Sequence, residues 1–297
     1  NSGHGTHVAG TVGGIGAASQ GKYEGVAPGA HIIGYGSGAT LFILDGIGGF
    51  DYAITHQFIY NIRVVTNSWG SSGSFNPLDP VNIASKKAFD RGIVVTFAAG
   101  NDGPAPGTMN PYSLAPWVIS VAAGNKQGGL ADFSSRGVDG DGGTFTLDGQ
   151  TWRWENRPTV VAPGVDIVSC MAVSPLGLLD PSTDYAPYYA IMSGTSMATP
   201  HVAGIVALML EANPSLLPSQ VKQILQLTAT NMPGRKPYEV GAGYVNAYAA
   251  VLQALASKLG ISLNGFGKSV NLFKTFNSFV NAERTTQNFT IAYNPTT

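Results

Sequence analysis

Five short runs of the chain are almost continuously apolar: "HIIGY" (31–35), "NIRVVTNS" (61–68), "GIVVTFAA" (92–99), "WVISVAA" (117–123) and "DIVSC" (166–170). A strand with one wet face alternates apolar and polar residues. Runs without that alternation suit strands buried on both faces of a sheet. Between and after them the apolar spacing lengthens to three and four residues. "LFILDGIGGFDYAITHQF" (41–58) has this helical period, interrupted by glycines. "PLDPVNIASKKAFDRG" (77–92) opens on proline and closes on glycine, the usual asymmetry of helix ends. "SMATPHVAGIVALMLEANP" (196–214) and "PSQVKQILQLTA" (218–229) read as two more helices. The alternation predicts an α/β fold: a doubly wound, mostly parallel sheet with helices on both faces.

Two stretches depart from this rhythm. "GGTFTLDGQTWRWENRP" (142–158) alternates apolar and polar positions on either side of Asp148-Gly149, a dipeptide suited to a tight turn. It predicts an exposed β-hairpin insertion. From about residue 258 the pattern turns strand-like, as in "SVNLFKTFNSFV" and "TTQNFTIAYNPTT". We therefore divide the chain into a catalytic-type domain, 1–257, and a β-rich tail, 258–297, that could begin an appended β domain.

Composition narrows the choice. At 297 residues the chain can bury a full core, yet only 11% of it is charged, against the usual quarter. The net charge is −1 without a basic block, which argues against nucleic acid or an anionic membrane surface as partner. No uninterrupted apolar run is long enough to cross a bilayer. A lone cysteine, Cys170, excludes an internal disulfide framework and leaves the compartment undecided.

Three segments hold candidate chemistry. In "MSGTSMATPHVAG" (192–204), Ser196 lies among small residues where a strongly apolar helix begins. There its own N–H and the positive helix end face whatever reacts with the hydroxyl; an ordinary N-cap serine is the simpler alternative. Pro200 is expected in the first turn, where a missing N–H costs least. The neighbouring Met197 is expected beside the reacting centre and open to oxidation. Ala198 stands where the α/β-hydrolase elbow has its second glycine, so that motif is excluded. In "FAAGNDGP" (97–104), a buried strand delivers Asn101 to its carboxyl end, where an amide could donate to an oxyanion; a turn asparagine is the alternative. In "GHGTHVAG" (3–10), glycines around His4 leave room for another chain to approach its ring, whereas His7 falls one turn later and reads as a packed structural histidine. No ligand set accompanies the pair at metal-binding spacing.

Taken together, these segments resemble the subtilisin-like serine proteases, the subtilases. "GHGTHVAG" is similar to their histidine motif, "AAGN" to their oxyanion motif and "SGTSMATPHVAG" to their serine motif. "GVAPGA" (25–30), "NSWG" (67–70), "FSSRG" (133–137) and "RPTVVAPGVDI" (157–167) follow the family's order across about 1–255. The resemblance implies a secreted endopeptidase acting on protein or peptide substrates. In it His4 would be the general base, Ser196 the nucleophile and Asn101 the oxyanion donor. Ser68, Trp69 and Gly70 would pair with the substrate backbone. Ala98, Ala99 and Gly100 would line the primary specificity pocket, with Asn110 opposite. A propeptide is also implied.

The family's catalytic aspartate precedes the histidine motif in an Asp-Ser/Thr-Gly strand. No aspartate precedes His4 here, and Asp45 and Asp51 follow it in an expected helix. A companion N-terminal fragment carrying that aspartate and the first strand is the expectation; a non-catalytic domain on the same fold is the rival, and a lipase-like hydrolase a distant third. Calcium, common in the family, has weak support. The loop 13–25 offers only Glu24, and "VDGDGG" (138–143) fails the EF-hand pattern because Gln150 takes its twelfth position.

Overall fold

The computed structural model describes residues 3–37, 42–172 and 188–260. Its centre is a four-stranded parallel sheet, ordered β1 (Val64–Asn67), β2 (Val94–Ala98), β3 (Val118–Gly124) and β6 (Val160–Pro163). Residue parity explains the two-sided burial. Val94, Ile119, Val121, Ala123, Val160 and Ala162 turn to one face, against α5 (Thr195–Ala212), α6 (Pro218–Thr228) and α8 (Ala247–Lys258). Their neighbours Val95, Phe97 and Val118 turn to the other, against Phe50 of α2 (Ile43–Thr55) and Val81, Ala84 and Ala88 of α4 (Pro80–Asp90). With both faces covered, no polar alternation survives, and the doubly wound reading holds.

The helices end where their chemistry directs. In α4 the Asp79 carboxylate accepts from Val81 N at 2.8 Å and Pro80 occupies the first turn. Asp45 belongs to such a cap, its carboxylate accepting from Phe42 N at 3.0 Å at the head of α2. Short helices α3 (Gln57–Tyr60) and α7 (Pro237–Val240) complete the set with α1 (His4–Gly13). The run at 166–170 does form a strand, β7 (Ile167–Cys170), but it pairs antiparallel with β8 (Tyr189–Met192) in a separate ribbon. Among the described residues, no helix is long and apolar enough to cross a membrane.

The expected strand at 31–35 forms no ladder. Its backbone crosses the molecule unpaired, with Ile32 and Ile33 44% and 43% exposed and Tyr35 exposed beside them. A strand exists only through its neighbour, and the described residues supply none here. At the sheet edge, β1 is likewise only half-buried over Val64, Val65 and Thr66.

The hairpin forms as expected: β4 (Gly142–Leu147) pairs with β5 (Gln150–Glu155) around Asp148 and Gly149, both at positive φ. Its exposure is one-sided, however. Trp152 packs edge-on against Trp117 with centroids 5.3 Å apart, and Trp154 lies 4.9 Å from Phe75. The Lys86 ammonium, paired with Asp90 at 2.7 Å, sits 5.3 Å from the Trp152 ring. The alternation thus hides an aromatic face that fastens the insertion to the core. The strands expected in the tail lie outside the described residues, apart from 258–260, which end α8.

Candidate active site

Because β1 and β2 run parallel, the residues leaving them, Ser68 and Asn101, emerge at the same carboxyl edge. Helix α5 starts at that edge. Helix α1 runs alongside α5 in the same direction: Val8 clusters with Met197 near their starts, and Val12 O lies 3.4 Å from the place of a Cβ on Gly204 further along. This parallel register sets the amino ends of both helices, where His4 and Ser196 lie, at the same end of the pair.

Asn101 is exposed, and its side-chain oxygen ties it to α5. Its Oδ1 accepts from Thr195 N at 2.8 Å and from Thr195 Oγ1 at 2.9 Å. The amide orientation follows from these two donors, which leaves Nδ2 to point elsewhere. A Cβ placed on Gly194 would lie 3.6 Å from Asn101 Nδ2, 3.6 Å from Ser196 N and 3.8 Å from Asn101 Oδ1, so the amide and the serine N–H border the same glycine. Both N–H-bearing atoms thus lie at the turn that presents the serine.

Ser196 and Ser68 bond reciprocally. Ser196 Oγ donates to Ser68 O at 3.1 Å, and Ser68 Oγ donates to Ser196 O at 2.7 Å. The second bond has a cause in the sequence. Pro200 lies inside α5, not at its first turn as expected, and has no N–H for the carbonyl four residues earlier. That carbonyl belongs to Ser196, and the Ser68 hydroxyl replaces the lost donor.

Asn110 is buried and works as a clamp. Its Nδ2 donates to Ala98 O at 2.8 Å and to Trp69 O at 3.1 Å, and its Oδ1 accepts from Tyr112 N at 3.2 Å. A Cβ on Gly70 would come within 2.4 Å of this amide, so the 69–70 backbone can approach only because residue 70 is glycine. Asn110 thus holds the segments around it instead of presenting its own side chain to a groove. Beside it, Gly100 adopts φ +112, and a Cβ there would sit 2.5 Å from Ser135 Oγ.

His7 is fully buried (0% exposed), with Nε2 2.9 Å from Ile167 O and 3.2 Å from Ala190 O. Its structural reading holds. Burial lowers the pKa of His4, His7 and His201 below the ordinary 6.5, against the pull of backbone carbonyls on His7 and His201. Met197 is 2% exposed and packed against Val8 and Ile167, so the expected ready oxidation meets a closed cluster. Sequence reasoning missed Ser68's bond to the serine carbonyl; Pro200 signals that this carbonyl needs another donor but not that Ser68 supplies it.

Among the described residues, no three His, Cys, Asp or Glu side chains converge on a point that could hold a metal ion. At 138–143, Asp141 Oδ2 accepts from Asn156 Nδ2 at 2.7 Å.

The architecture and these residues define a doubly wound α/β protein with a serine presented at the carboxyl edge of its sheet. The profile of the Subtilase family, Peptidase S8, matches residues 1–244, and the chain belongs to that family. It is 36% identical over 269 residues to "Serine protease AprX" of Bacillus subtilis (strain 168), covering 84% of this chain and 58% of that protein. It is 35% identical over 257 residues to "Subtilisin E" of the same organism, covering 84% and 56%. An "Extracellular protease" of Xanthomonas campestris is 35% identical over 263 residues, covering 85% of this chain and 40% of that one. The chain thus spans little more than half the length of the first two. Among solved structures, "Sphericase" superposes with a TM-score of 0.64 at 30% identity, covering 82% of this chain and 77% of that one. "S41 Psychrophilic Protease" superposes at 0.65 and 27%, with the same coverages.

Proposed function

We propose that this chain supplies the nucleophile, the general base and the oxyanion donors of a serine endopeptidase that cleaves peptide bonds of proteins. The observation that carries the reading is that Asn101, tied through Oδ1 to Thr195, leaves its Nδ2 at the turn that presents Ser196. Ser196 Oγ attacks the scissile carbonyl and forms an acyl-enzyme. His4 accepts the hydroxyl proton and returns it to the departing amine. Asn101 and the Ser196 N–H stabilise the oxyanion of each tetrahedral intermediate. Water, deprotonated by His4, then releases the acyl group.

The substrate lies extended beside Ser68, Trp69 and Gly70, exchanging backbone hydrogen bonds. Ala98, Ala99 and Gly100 wall the pocket for its P1 side chain, and Asn110 positions these walls. With small uncharged walls, large apolar or aromatic P1 residues are preferred over Arg or Lys.

The triad's aspartate comes from a companion N-terminal segment outside 1–297. Half-buried β1 and the unpaired, apolar 31–35 stretch support this, since together they offer backbone groups and apolar surface to an incoming strand. That segment would reach His4 with a carboxylate and raise its pKa. Secretion, and maturation from a propeptide, follow the family; the Xanthomonas relative, an "Extracellular protease", supports the former.

A second reading, a catalytically inactive binding domain, draws on the Ser196 hydroxyl being engaged by Ser68 O at 3.1 Å. A serine-directed phosphonyl fluoride separates the two. It should label Ser196 once a peptide bearing the Asp-Ser/Thr-Gly strand is added, and Ser196→Ala should abolish labelling and cleavage together. Undiminished cleavage by Ser196→Ala would overturn the nucleophile; no labelling with the strand bound would favour the inactive domain.

A further inference from the structure

The hairpin meets helix α6 at a cavity of about 120 Å³ lined by none of the residues placed at the candidate active site. Its lining includes Lys222 from α6, Arg153 from β5, and Arg157 and Glu155 where the hairpin returns to the core. Lys222 Nζ donates to Val118 O at 2.7 Å and to Pro116 O at 2.8 Å. An ammonium has three donors, so one N–H is left over. Glu155 is already shared, pairing with Arg153 at 3.3 Å and with Arg157. Two arginines thus share one carboxylate, Lys222 is bound only to carbonyls among the described residues, and the wall bears an excess of positive charge.

We propose that this cavity is a binding site for a small oxyanion, of the size of inorganic phosphate or a simple carboxylate, held by Lys222 and the two arginines. A buried charge needs a partner, and the carbonyls beneath Lys222 supply dipoles but no countercharge. Arginine's planar fork suits a phosphate or carboxylate ligand at the rim. The cavity has room for such an ion with bridging water. The state of Lys222 agrees with a missing anion. Burial, then repulsion from Arg157, brings its pKa down to about 8, and Glu155 opposes them only in part. A bound oxyanion would reverse that shift.

Acetylation of lysines in the intact protein, mapped peptide by peptide, tests the site. In chloride, Lys222 should react with a midpoint near its pKa of about 8. Inorganic phosphate at equal ionic strength should slow it at pH 8, while exposed Lys87 is unaffected. An upward shift of about one unit lowers the neutral fraction from about one half to about one tenth, so roughly five-fold slowing is expected. Acetate in a parallel arm distinguishes a carboxylate ligand from phosphate. Arg153→Gln alters a residue 77% exposed on its side chain, and should raise the phosphate concentration needed for half-protection. No slowing by either anion, equal slowing at Lys87, or an unchanged half-protection point in Arg153→Gln would overturn the proposal.

Discussion

Asn101→Asp isolates the oxyanion donor from the scaffold that holds it. Aspartate keeps the shape of asparagine and the Oδ1 that accepts from Thr195 N at 2.8 Å and Thr195 Oγ1 at 2.9 Å. It replaces only Nδ2, the proposed oxyanion donor. Loss of one such donor costs about 10²–10³ in kcat; that scale was measured on subtilisin, a member of this same family, and is transferred here. The new carboxylate also repels the oxyanion. At about 3 Å and an effective dielectric of about 40–80, suited to an exposed residue, the repulsion adds about 1–3 kcal/mol. Together these give a loss of about 10³–10⁵ in acylation, with KM little changed because the ground-state carbonyl is scarcely charged. The assay is the labelling rate of Ser196 by a phosphonyl fluoride, alongside kcat on a peptide anilide with the aspartate-bearing strand supplied. Thermal unfolding should stay within a few degrees, because both bonds to Thr195 persist. A loss below ten-fold at unchanged melting temperature would refute Asn101 as an oxyanion donor.

Three further outcomes are expected. Ser68→Ala should destabilise the fold by about 1–3 kcal/mol, because it strands the Ser196 carbonyl that Pro200 cannot serve; adding Pro200→Ala should recover much of this in a double-mutant cycle by urea unfolding. Trp152→Ala should cost about 3–5 kcal/mol and release hydrogen-exchange protection across 142–155, since it empties the contact with Trp117 and Phe89. Acid should destabilise the protein from about pH 6.5 downward: with His4, His7 and His201 depressed, the unfolded chain binds more protons in that window, so stability falls as pH drops through their folded values. Denaturation midpoints between pH 7 and pH 4, with His7→Gln as comparison, would show whether the buried histidines account for it.

The sheet was legible because burial on both faces erases alternation in the runs around Val94 and Val118; the run at Ile167 looks the same but pairs in a separate ribbon. The stretch at Ile32 has the same composition but forms no ladder, because pairing belongs to two segments and only one can be read from the run itself. The hairpin turn was visible in Asp148-Gly149, whereas its docking was not: Trp152 finds Trp117 and Phe89 through the tertiary fold. At the site, the serine and histidine motifs marked Ser196 and His4 by similarity. The roles of Ser68 and Asn110 as a donor and a clamp rest on bonds spanning 128 and 12 positions, which no local pattern encodes.

The shared direction of α1 and α5 bears on the charge balance of the reaction. Two helices side by side with their amino ends at the same end of the pair add their partial positive charges, about half an elementary charge each, at that end. The resulting field favours the negative tetrahedral oxygen and opposes the imidazolium that must form on His4 at the same moment. Under the proposed mechanism the helix ends therefore favour the negative half of the charge separation over the positive half. An acid group beside His4 would correct a bias that the helix arrangement itself creates, so its removal should slow proton transfer more than it weakens substrate binding.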